Sequence, residues 1–326
     1  MRTWGLATFR APVYCINVLI HRYNTGEPVE ERDVETSQLT AAGSVLLGVS
    51  AAIAAAAFLL AVMPPSERRI ERWSSRHGLA LTHANQAVVA GYLRRTRALQ
   101  VAGAALGWLA SPVYIDLVGR PFPLGDSWVV LAIAGSLLGS IVAEVTHLRR
   151  SPSPATIRAA TLAPRTLFSY VPPATLWAIR ALPGVTVVLA VLYVVAPKDP
   201  GRTVDPSVAL VGVAALLMVV FALLLEWFLK AIVARPQPAI TDDLLAADDS
   251  LRAASIHSLA AAGLALMLLS IGWALVALGD VSASAVLDEI LPWVGAACDV
   301  GAVLVWIVLG HIAHWRVRRD VPVVSG

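Results

Sequence analysis

The sequence predicts an all-α protein, a polytopic membrane helical bundle of about seven transmembrane helices arranged as three plus one plus three. Hydrophobic residues make up 57% of its 326 residues and charged residues only 14%, whereas a soluble domain carries about a quarter charged residues. The uncharged run 41–63 covers ~30 Å as a helix, which matches the hydrocarbon core of a bilayer. Arginines follow this run closely, as is typical of the cytoplasmic end of a span.

The first segment, residues 1–40, is expected to be an interfacial or disordered tail. Its apolar run 11–20 is too short to cross a bilayer, and a longer helix would place Arg10 in the membrane at a cost of about 3 kcal/mol. No small-x-small cleavage motif follows the run, so a signal peptide is not expected. An additional span is the alternative.

The first membrane unit, residues 41–150, is predicted to hold spans 1 to 3. Span 1 is 41–63, and the short basic amphipathic segment 66–76 after it suits a helix in the inner interface. Gly78 ends that helix. Thr82 is then the expected N-cap of a helix that runs straight into span 2.

Spans 2 and 3, about 98–118 and 128–146, each carry two glycines four residues apart. A spacing of four places both glycines on one helix face, where helix backbones in lipid can approach each other closely. We therefore predict that these positions mediate helix packing: Gly103, Gly107, Gly135 and Gly139.

Residues 151–205 comprise a basic loop and a connector helix, span 4. Pro172 and Pro173 lie at the entrance of this span, its uninterrupted apolar part is 181–197, and Pro183 is expected to kink it. Arg180 lies at its inner end, where a long side chain can reach the interface.

The second membrane unit, residues 206–319, is predicted to hold spans 5 to 7, and residues 320–326 form a C-terminal tail. A helix capped by Thr241 is expected to continue into span 6, since Asp242 and Asp243 suit the first turn of a helix. The three spans are 206–229, about 257–278, and 290 to about 312.

Most of the 25 lysine and arginine residues fall into the stretches between spans 1 and 2, 3 and 4, and 5 and 6, and after span 7. By the positive-inside rule, these stretches face the cytoplasm. We therefore expect a multi-pass protein of the inner or plasma membrane, with its N-terminus outside and its C-terminus in the cytoplasm.

The two membrane units are similar in pattern. Arg97 and Leu99 at the start of span 2 correspond to His257 and Leu259 at the start of span 6, and Trp128 and Trp293 open corresponding helices. One connector helix would keep both units in the same orientation, as in parallel repeats. Either a true duplication or the ordinary features of helical hairpins explains the pattern.

Asp299 in span 7 is the candidate functional acid. It falls near the bilayer midplane, where a carboxylate costs at least ~2.5 kcal/mol and by default faces the bundle interior. A proton-coupled carrier or a cation site would need such a group. An aspartate that only holds helices together is the alternative.

Four histidines are expected at the inner interface: His147, His257, His311 and His314. Four histidines at one depth could ligate a metal or haem. Because no two lie in mid-span and arginines are adjacent, contact with headgroups is favoured, and neither metal nor cofactor is expected. Glu144 and Glu226, near the same boundary, are expected to pair with Arg149 and Lys230.

Two arginine clusters near the inner interface are expected to bind anionic lipid headgroups. They consist of Arg68, Arg69, Arg72 and Arg76, and of Arg94, Arg95 and Arg97. Trp73 is the single aromatic residue within these two clusters, so nucleic acid is not an expected partner.

Sequence motifs of several enzyme classes are absent from the sequence: the Walker glycine loop, HExxH, GxSxG and CxxC. The two cysteines, Cys15 and Cys298, lie far apart and imply no disulfide framework. The sequence therefore predicts no catalytic residues and favours a protein that is not an enzyme. An intramembrane enzyme with an unfamiliar site is the alternative.

The three-plus-one-plus-three layout with a cytoplasmic C-terminus resembles that of the SWEET/PQ-loop sugar transporters, and a Pro236–Gln237 pair is present. This pair follows span 5 instead of lying within it, and the first unit has Pro64–Pro65 in its place. The resemblance therefore implies a topology only. Over most of its length the chain is also similar to the uncharacterised multi-pass membrane proteins of high-GC, actinobacterial-type bacteria.

Two functions fit these features. A non-enzymatic membrane subunit or scaffold is favoured, with a membrane-protein partner or as a homo-oligomer. The alternative is a small-solute or ion carrier, coupled to protons, that uses Asp299.

Overall fold

Helices make up the regular structure of the chain, and no strand occurs among the residues described. The computed structural model describes residues 55–59, 61–118, 127–149, 166–197, 207–235 and 242–312, all within one unit of the chain, 54–326. Side chains are described except at 112–118, 127–129, 147–149, 242, 311 and 312. The predicted tails 1–40 and 320–326 and most of span 1 lie outside the described residues.

Residues 55–59 and 61–62 are helical, and seven α-helices with defined bounds follow them in the described ranges. They are α1 (Glu67–Arg76), α2 (His83–Val118), α3 (Ser127–Arg149), α4 (Pro173–Val195), α5 (Val208–Ala234), α6 (Asp242–Val281) and α7 (Ala285–Ile307). A 3-10 turn, Leu167–Ser169, precedes α4, and a π-helical segment, Val308–Ile312, continues α7.

Four of the helices, α4 to α7, are long and apolar enough to cross a membrane. Their candidate spans are Pro173–Val195, Val208–Ala234, Asp243–Val281 and Ala285–Gly310, with mean hydropathies between 1.9 and 3.1. Helix α3 contains a shorter apolar stretch, Val130–Thr146. The prediction of an all-α membrane bundle is confirmed at this level, whereas the number of seven spans stays a prediction.

The outward faces of α4 and α5 are apolar and exposed. Val188, Leu217 and Leu223 on these faces are 58%, 62% and 66% exposed. Contiguous apolar surface of this kind requires an apolar neighbour. The hydrocarbon core of a bilayer is a neighbour of this kind.

Helix α6 is the centre of the bundle. It is in contact with α2, α3, α4, α5 and α7, and 67% of its most apolar window is buried, against 22% or less for the other three candidate spans. A helix that is apolar all round is stable in such a central position. Small residues such as Ala261 and Ala265, both fully buried, let its neighbours pack closely.

Helices α2 and α6 are both continuous from a polar first segment into an apolar one. They are 36 and 40 residues long, so both expected uninterrupted helices are observed. Helix α6 contains a candidate span, whereas span 2 within α2 stays a prediction. Thr82 directly precedes α2, but the capping side chain is that of Asn85, whose Oδ1 accepts a hydrogen bond from the Thr82 N–H at 2.9 Å. Thr241 lies outside the described residues.

Helix α1 ends in a Schellman motif. The Leu79 N–H donates to the Ser74 carbonyl at 2.9 Å, and the Gly78 N–H donates to the Ser75 carbonyl at 3.2 Å. The Schellman motif needs a residue in the left-handed conformation directly after the helix C-cap, and Gly78 adopts this conformation with a φ of 61°. The motif turns the chain so that Ile70 and Leu79 pack against Val89 of α2 and Ala247 of α6.

Helix α4 begins where the sequence places the entrance of span 4, at the Pro172–Pro173 pair. Its first residue is Pro173, at the N-terminus of the helix where proline is favoured, and it continues through Pro183 to Val195. The candidate span Pro173–Val195 contains Arg180.

Candidate functional sites in the helical bundle

Helices α2 and α3 cross with their backbones in contact at the four predicted packing glycines. A Cβ atom added at Gly103 would overlap the carbonyl oxygen of Gly135, and one added at Gly135 would overlap that of Gly103. The same overlap with a carbonyl of the other helix arises at Gly107 and at Gly139. The structure thus brings all four together, at positions where any side chain would force the helices apart.

Helices α6 and α7 also cross with their backbones in close contact, at one glycine of each helix. A Cβ atom added at Gly272 would lie 2.9 Å from the carbonyl oxygen of Gly295, and one added at Gly295 would lie 2.8 Å from that of Gly272. Both helical hairpins therefore rely on close backbone approach, which in lipid replaces the hydrophobic driving force available in water.

Asp299 lies directly beside this second crossing. It is one turn beyond Gly295 on α7, its side chain is directed towards α6, and only 2% of the residue is exposed. A Cβ atom added at Gly272 would lie 2.7 Å from its Oδ1, so the absence of a side chain there makes room for the carboxyl group. Neither carboxyl oxygen has a hydrogen-bond partner among the described residues. A group in this setting can hold a proton or bind a cation.

A surface ion pair joins α4 to α5. Arg180 donates from Nη2 to Glu226 Oε1 at 2.8 Å and from Nε to Oε2 at 3.2 Å, and Lys230 lies 2.9 Å from the same carboxylate. The expected pairing of Glu226 with Lys230 is confirmed, and Arg180 is a second partner. Trp177 and Trp227 are exposed beside it, and such a band of aromatic and basic residues is typical of a membrane interface.

A buried arginine holds the end of α5 against α6. Arg252 is fully buried, and its Nη1 donates to the carbonyl oxygens of Ile232, Val233 and Arg235 at 3.0, 2.8 and 2.9 Å. Its Nη2 is 2.9 Å from Asp248 Oδ2, and Arg235 also pairs with Asp248. The guanidinium group therefore donates to carbonyls at the C-terminal end of α5, where a helix leaves acceptors available and its dipole favours a cation.

A second buried polar contact links α2 to α3. The Tyr92 hydroxyl donates to Glu144 Oε1 at 2.7 Å, and both residues are buried. Burial, and after it the neighbouring Glu144 carboxylate, raises the pKa of Tyr92. The expected partner of Glu144, Arg149, has no described side chain, and the partner that the structure gives is Tyr92.

These contacts define one end of the bundle, which we call the arginine end: α2, α4 and α6 begin there and α5 and α7 end there. Helix α1 lies at this end against α2 and α6. A cleft of about 400 Å³ opens between α1 and the ends of α2, α6 and α7. We call it the arginine cleft, because Arg69, Arg72, Arg76 and Arg97 line it.

Two histidines, two aromatic rings and several polar side chains complete the arginine cleft. His257 of α6 lines it, and its Nε2 is 2.7 Å from the Tyr170 carbonyl, which fixes the ring. The indole of Trp73 stacks on the imidazole of His77 with ring centroids 4.2 Å apart. No acidic residue occurs among the described residues of the lining, and the π-helical segment after α7 contributes Leu309 and Gly310.

The arginines of the cleft repel one another. The pKa of Arg69 is lowered, first by its partial removal from water and then by the positive charges of Arg97 and Arg72. Within the described part of the chain, none of the four guanidinium groups is paired with a carboxylate. Among the described residues, the cleft is therefore a concentrated positive site.

The structure divides the predicted site residues into those that come together and those that do not. Four of the seven arginines line the cleft, whereas Arg68, Arg94 and Arg95 do not. Of the four histidines, only His257 has a described position for its side chain, and it lies in the cleft. No group of three potential metal ligands occurs among the described residues. The Arg252–Asp248 contact is a site that the sequence analysis did not single out, although the i, i+4 spacing of these charges would have indicated it.

Comparisons with known proteins give no relative. No protein-family model, no curated protein and no solved structure matches this chain. Function must therefore be argued from the sites themselves.

Proposed function

We propose that this protein is a non-enzymatic membrane subunit or scaffold, which works with a membrane-protein partner or a second copy of itself. The observation that carries the proposal is the backbone contact of α2 with α3 at Gly103, Gly107, Gly135 and Gly139. Helices in such contact cannot rock against each other without losing their packing, whereas carriers commonly work by relative motion of helix bundles. The exposed apolar faces of α4 and α5 are the surface available to lipid and partners.

The second candidate function is a proton- or cation-coupled carrier that uses Asp299. It is favoured by one observation, the buried carboxyl group whose two oxygens have no hydrogen-bond partner among the described residues. By helix rise, Asp299 is about 21 Å from the start of α7 and about 17 Å from the arginine cleft at Gly310. The acid and the cleft are therefore separate sites.

One experiment decides between the two functions. The protein is reconstituted into vesicles that contain a pH-sensitive dye, and proton entry is followed after a membrane potential is imposed. A scaffold gives the same proton entry as protein-free vesicles, and Asp299→Asn changes nothing. A carrier gives entry above this baseline that Asp299→Asn abolishes and that Glu289→Gln, an exposed acid on the same helix, leaves intact.

We further propose that the arginine end faces the cytoplasm and anionic headgroups, with the N-terminus of the chain outside. The support is electrostatic: Arg180, Lys230 and the arginine cleft all lie at this end. Asp280 and Glu289 flank the turn between α6 and α7 at the other end. Positive charge retained on the cytoplasmic side is the general rule for membrane proteins.

A further inference from the structure

We propose that the arginine cleft is a binding site for a phosphate-bearing small anion, either a phospholipid headgroup or a soluble phosphate compound. This goes beyond the proposed function, because a scaffold and a carrier could both have such a site. It also goes beyond a general attraction of arginines to the membrane surface, because it names a defined volume and a defined subset of the arginines.

The charge of the cleft selects an anion with more than one negative oxygen. Four arginines line a cleft of about 400 Å³, a volume in the range of small-molecule sites, and no acidic residue occurs among the described residues of its lining. Planar guanidinium groups donate two parallel hydrogen bonds to phosphate oxygens. Bringing like charges together is unfavourable without a counter-ion, and a phosphate would provide it.

The cleft is assembled from distant parts of the chain. Arg69, Arg72 and Arg76 come from α1, Arg97 from α2, and His257 from α6. Arg97 and His257 are the residues that correspond in the sequence comparison of the two membrane units. A site to which three helices of the two units contribute is more specific than a run of basic residues on one helix face.

The surroundings of the cleft fit a ligand with both a charged and a less polar part. Leu93 and Leu309 line it together with the polar side chains of Thr96, Gln100 and Ser258. The π-helical segment beside it is of a kind often found at functional sites. Basic pockets between transmembrane helices bind phospholipid headgroups in this way.

The chain offers a matched control for the test. Arg69→Gln/Arg97→Gln removes two cleft charges, one on α1 and one on α2. Arg68→Gln/Arg94→Gln removes two exposed charges outside the cleft from the same two helices. The two double variants have the same net charge, so a difference between them reports the cleft and not the overall field.

Binding is measured by calorimetry on the detergent-purified full chain, with inorganic phosphate and dihexanoyl phosphatidic acid as probes. We expect wild-type protein to bind at least one probe with Kd below ~1 mM. We expect Arg69→Gln/Arg97→Gln to weaken that binding at least ~10-fold, and Arg68→Gln/Arg94→Gln to weaken it less than ~2-fold. Binding of the lipid alone identifies a headgroup as the ligand, and competition between the probes identifies the phosphate group as the shared determinant.

Two results would overturn the proposal: binding of neither probe to the wild type, or equal weakening by the two double variants. If the cleft variant does not fold, a measurement on the wild-type protein tests the proposal instead. Phenylglyoxal modification of arginines is mapped by mass spectrometry with and without phosphate. Protection of Arg69 and Arg97 but not of Arg68 and Arg94 supports the site, and equal or absent protection refutes it.

Discussion

At the scale of single residues, Arg252 illustrates how the bundle tolerates a buried charge. A guanidinium group without partners would cost several kcal/mol in an apolar interior. Here Asp248 balances its charge, and the end of α5 offers three carbonyl oxygens at 2.8 to 3.0 Å. The charge also lies at the C-terminus of α5, where the helix dipole favours a cation.

Replacing Arg252 with leucine should destabilise the protein by about 3–5 kcal/mol, because Asp248 and three carbonyls lose a donor together. The free energy of unfolding can be measured by denaturant titration in mixed micelles. Arg94→Leu is the control, since an exposed arginine should change stability by less than about 0.5 kcal/mol. Similar losses in the two variants would show that Arg252 contributes little to the bundle.

The start of α2 gives a second test on single residues. Asn85 is fully buried, accepts a hydrogen bond from the Thr82 N–H at 2.9 Å and donates one to the Ala80 carbonyl at 2.9 Å. Asn85→Ala should therefore cost about 1–2 kcal/mol, as for the loss of a helix cap, and Thr82→Ala clearly less. Comparison of the two melting temperatures checks this ranking, and a larger drop for Thr82→Ala would contradict it.

Single residues also show what sequence reasoning can and cannot recover. Asp299 could be found from the sequence because an acid in an apolar run is conspicuous wherever its helix packs. The spacing of Arg252 and Asp248 indicates their pairing, but the burial of Arg252 could not be derived, since its other partners are carbonyls of another helix. Asn85 and not Thr82 provides the capping side chain of α2, because the Asn85 Oδ1 accepts a hydrogen bond from the Thr82 N–H.

At the scale of helices, the spacing of glycines was the most informative pattern. Two glycines four residues apart share a helix face in any helix, so the smooth faces of α2 and α3 were predictable. That these faces meet each other could not be derived from spacing alone. The crossing of α6 and α7 at Gly272 and Gly295 has no such repeat within one helix, and only the structure reveals it.

Gly107→Ala should separate α2 from α3, because its Cβ would overlap the Leu131 carbonyl. Loss of close packing in a core commonly costs about 1–3 kcal/mol. Gly91→Ala on the same helix is the control, as a Cβ there meets no atom within 4 Å, and alanine should favour the helix slightly. Unfolding temperatures of the two variants in detergent check the prediction, and equal values would contradict the backbone contact.

At the scale of the whole molecule, one buried helix organises the others. Helix α6 is predominantly buried while α4, α5 and α7 expose most of their surface. Hydropathy alone cannot make this distinction, since all four helices are apolar, and the central position depends on which faces carry small residues. The membrane class and the hairpins on either side of the connector helix could be anticipated, whereas the seven spans and the internal repeat stay predictions.

Orientation in the membrane follows from the charge of the two ends of the bundle. Ser75 is exposed on α1 at the arginine end, and Ser284 is exposed at the turn between α6 and α7 at the opposite end. The Ser284 hydroxyl makes no capping hydrogen bond at the start of α7, and Ser75 lies in the last turn of α1 and not at an N-cap. Both positions therefore suit substitution with cysteine in a chain in which Cys15 and Cys298 are changed to serine.

In intact cells, Ser284→Cys should react with a membrane-impermeant maleimide, because we place this turn outside. Ser75→Cys should react only after the membrane is permeabilised, since arginines at its end of the bundle are retained in the cytoplasm. Labelling is read by the mass shift of the purified protein. The reverse pattern would invert the proposed orientation, and labelling of both positions from one side would show that α6 and α2 do not extend between opposite faces of the membrane.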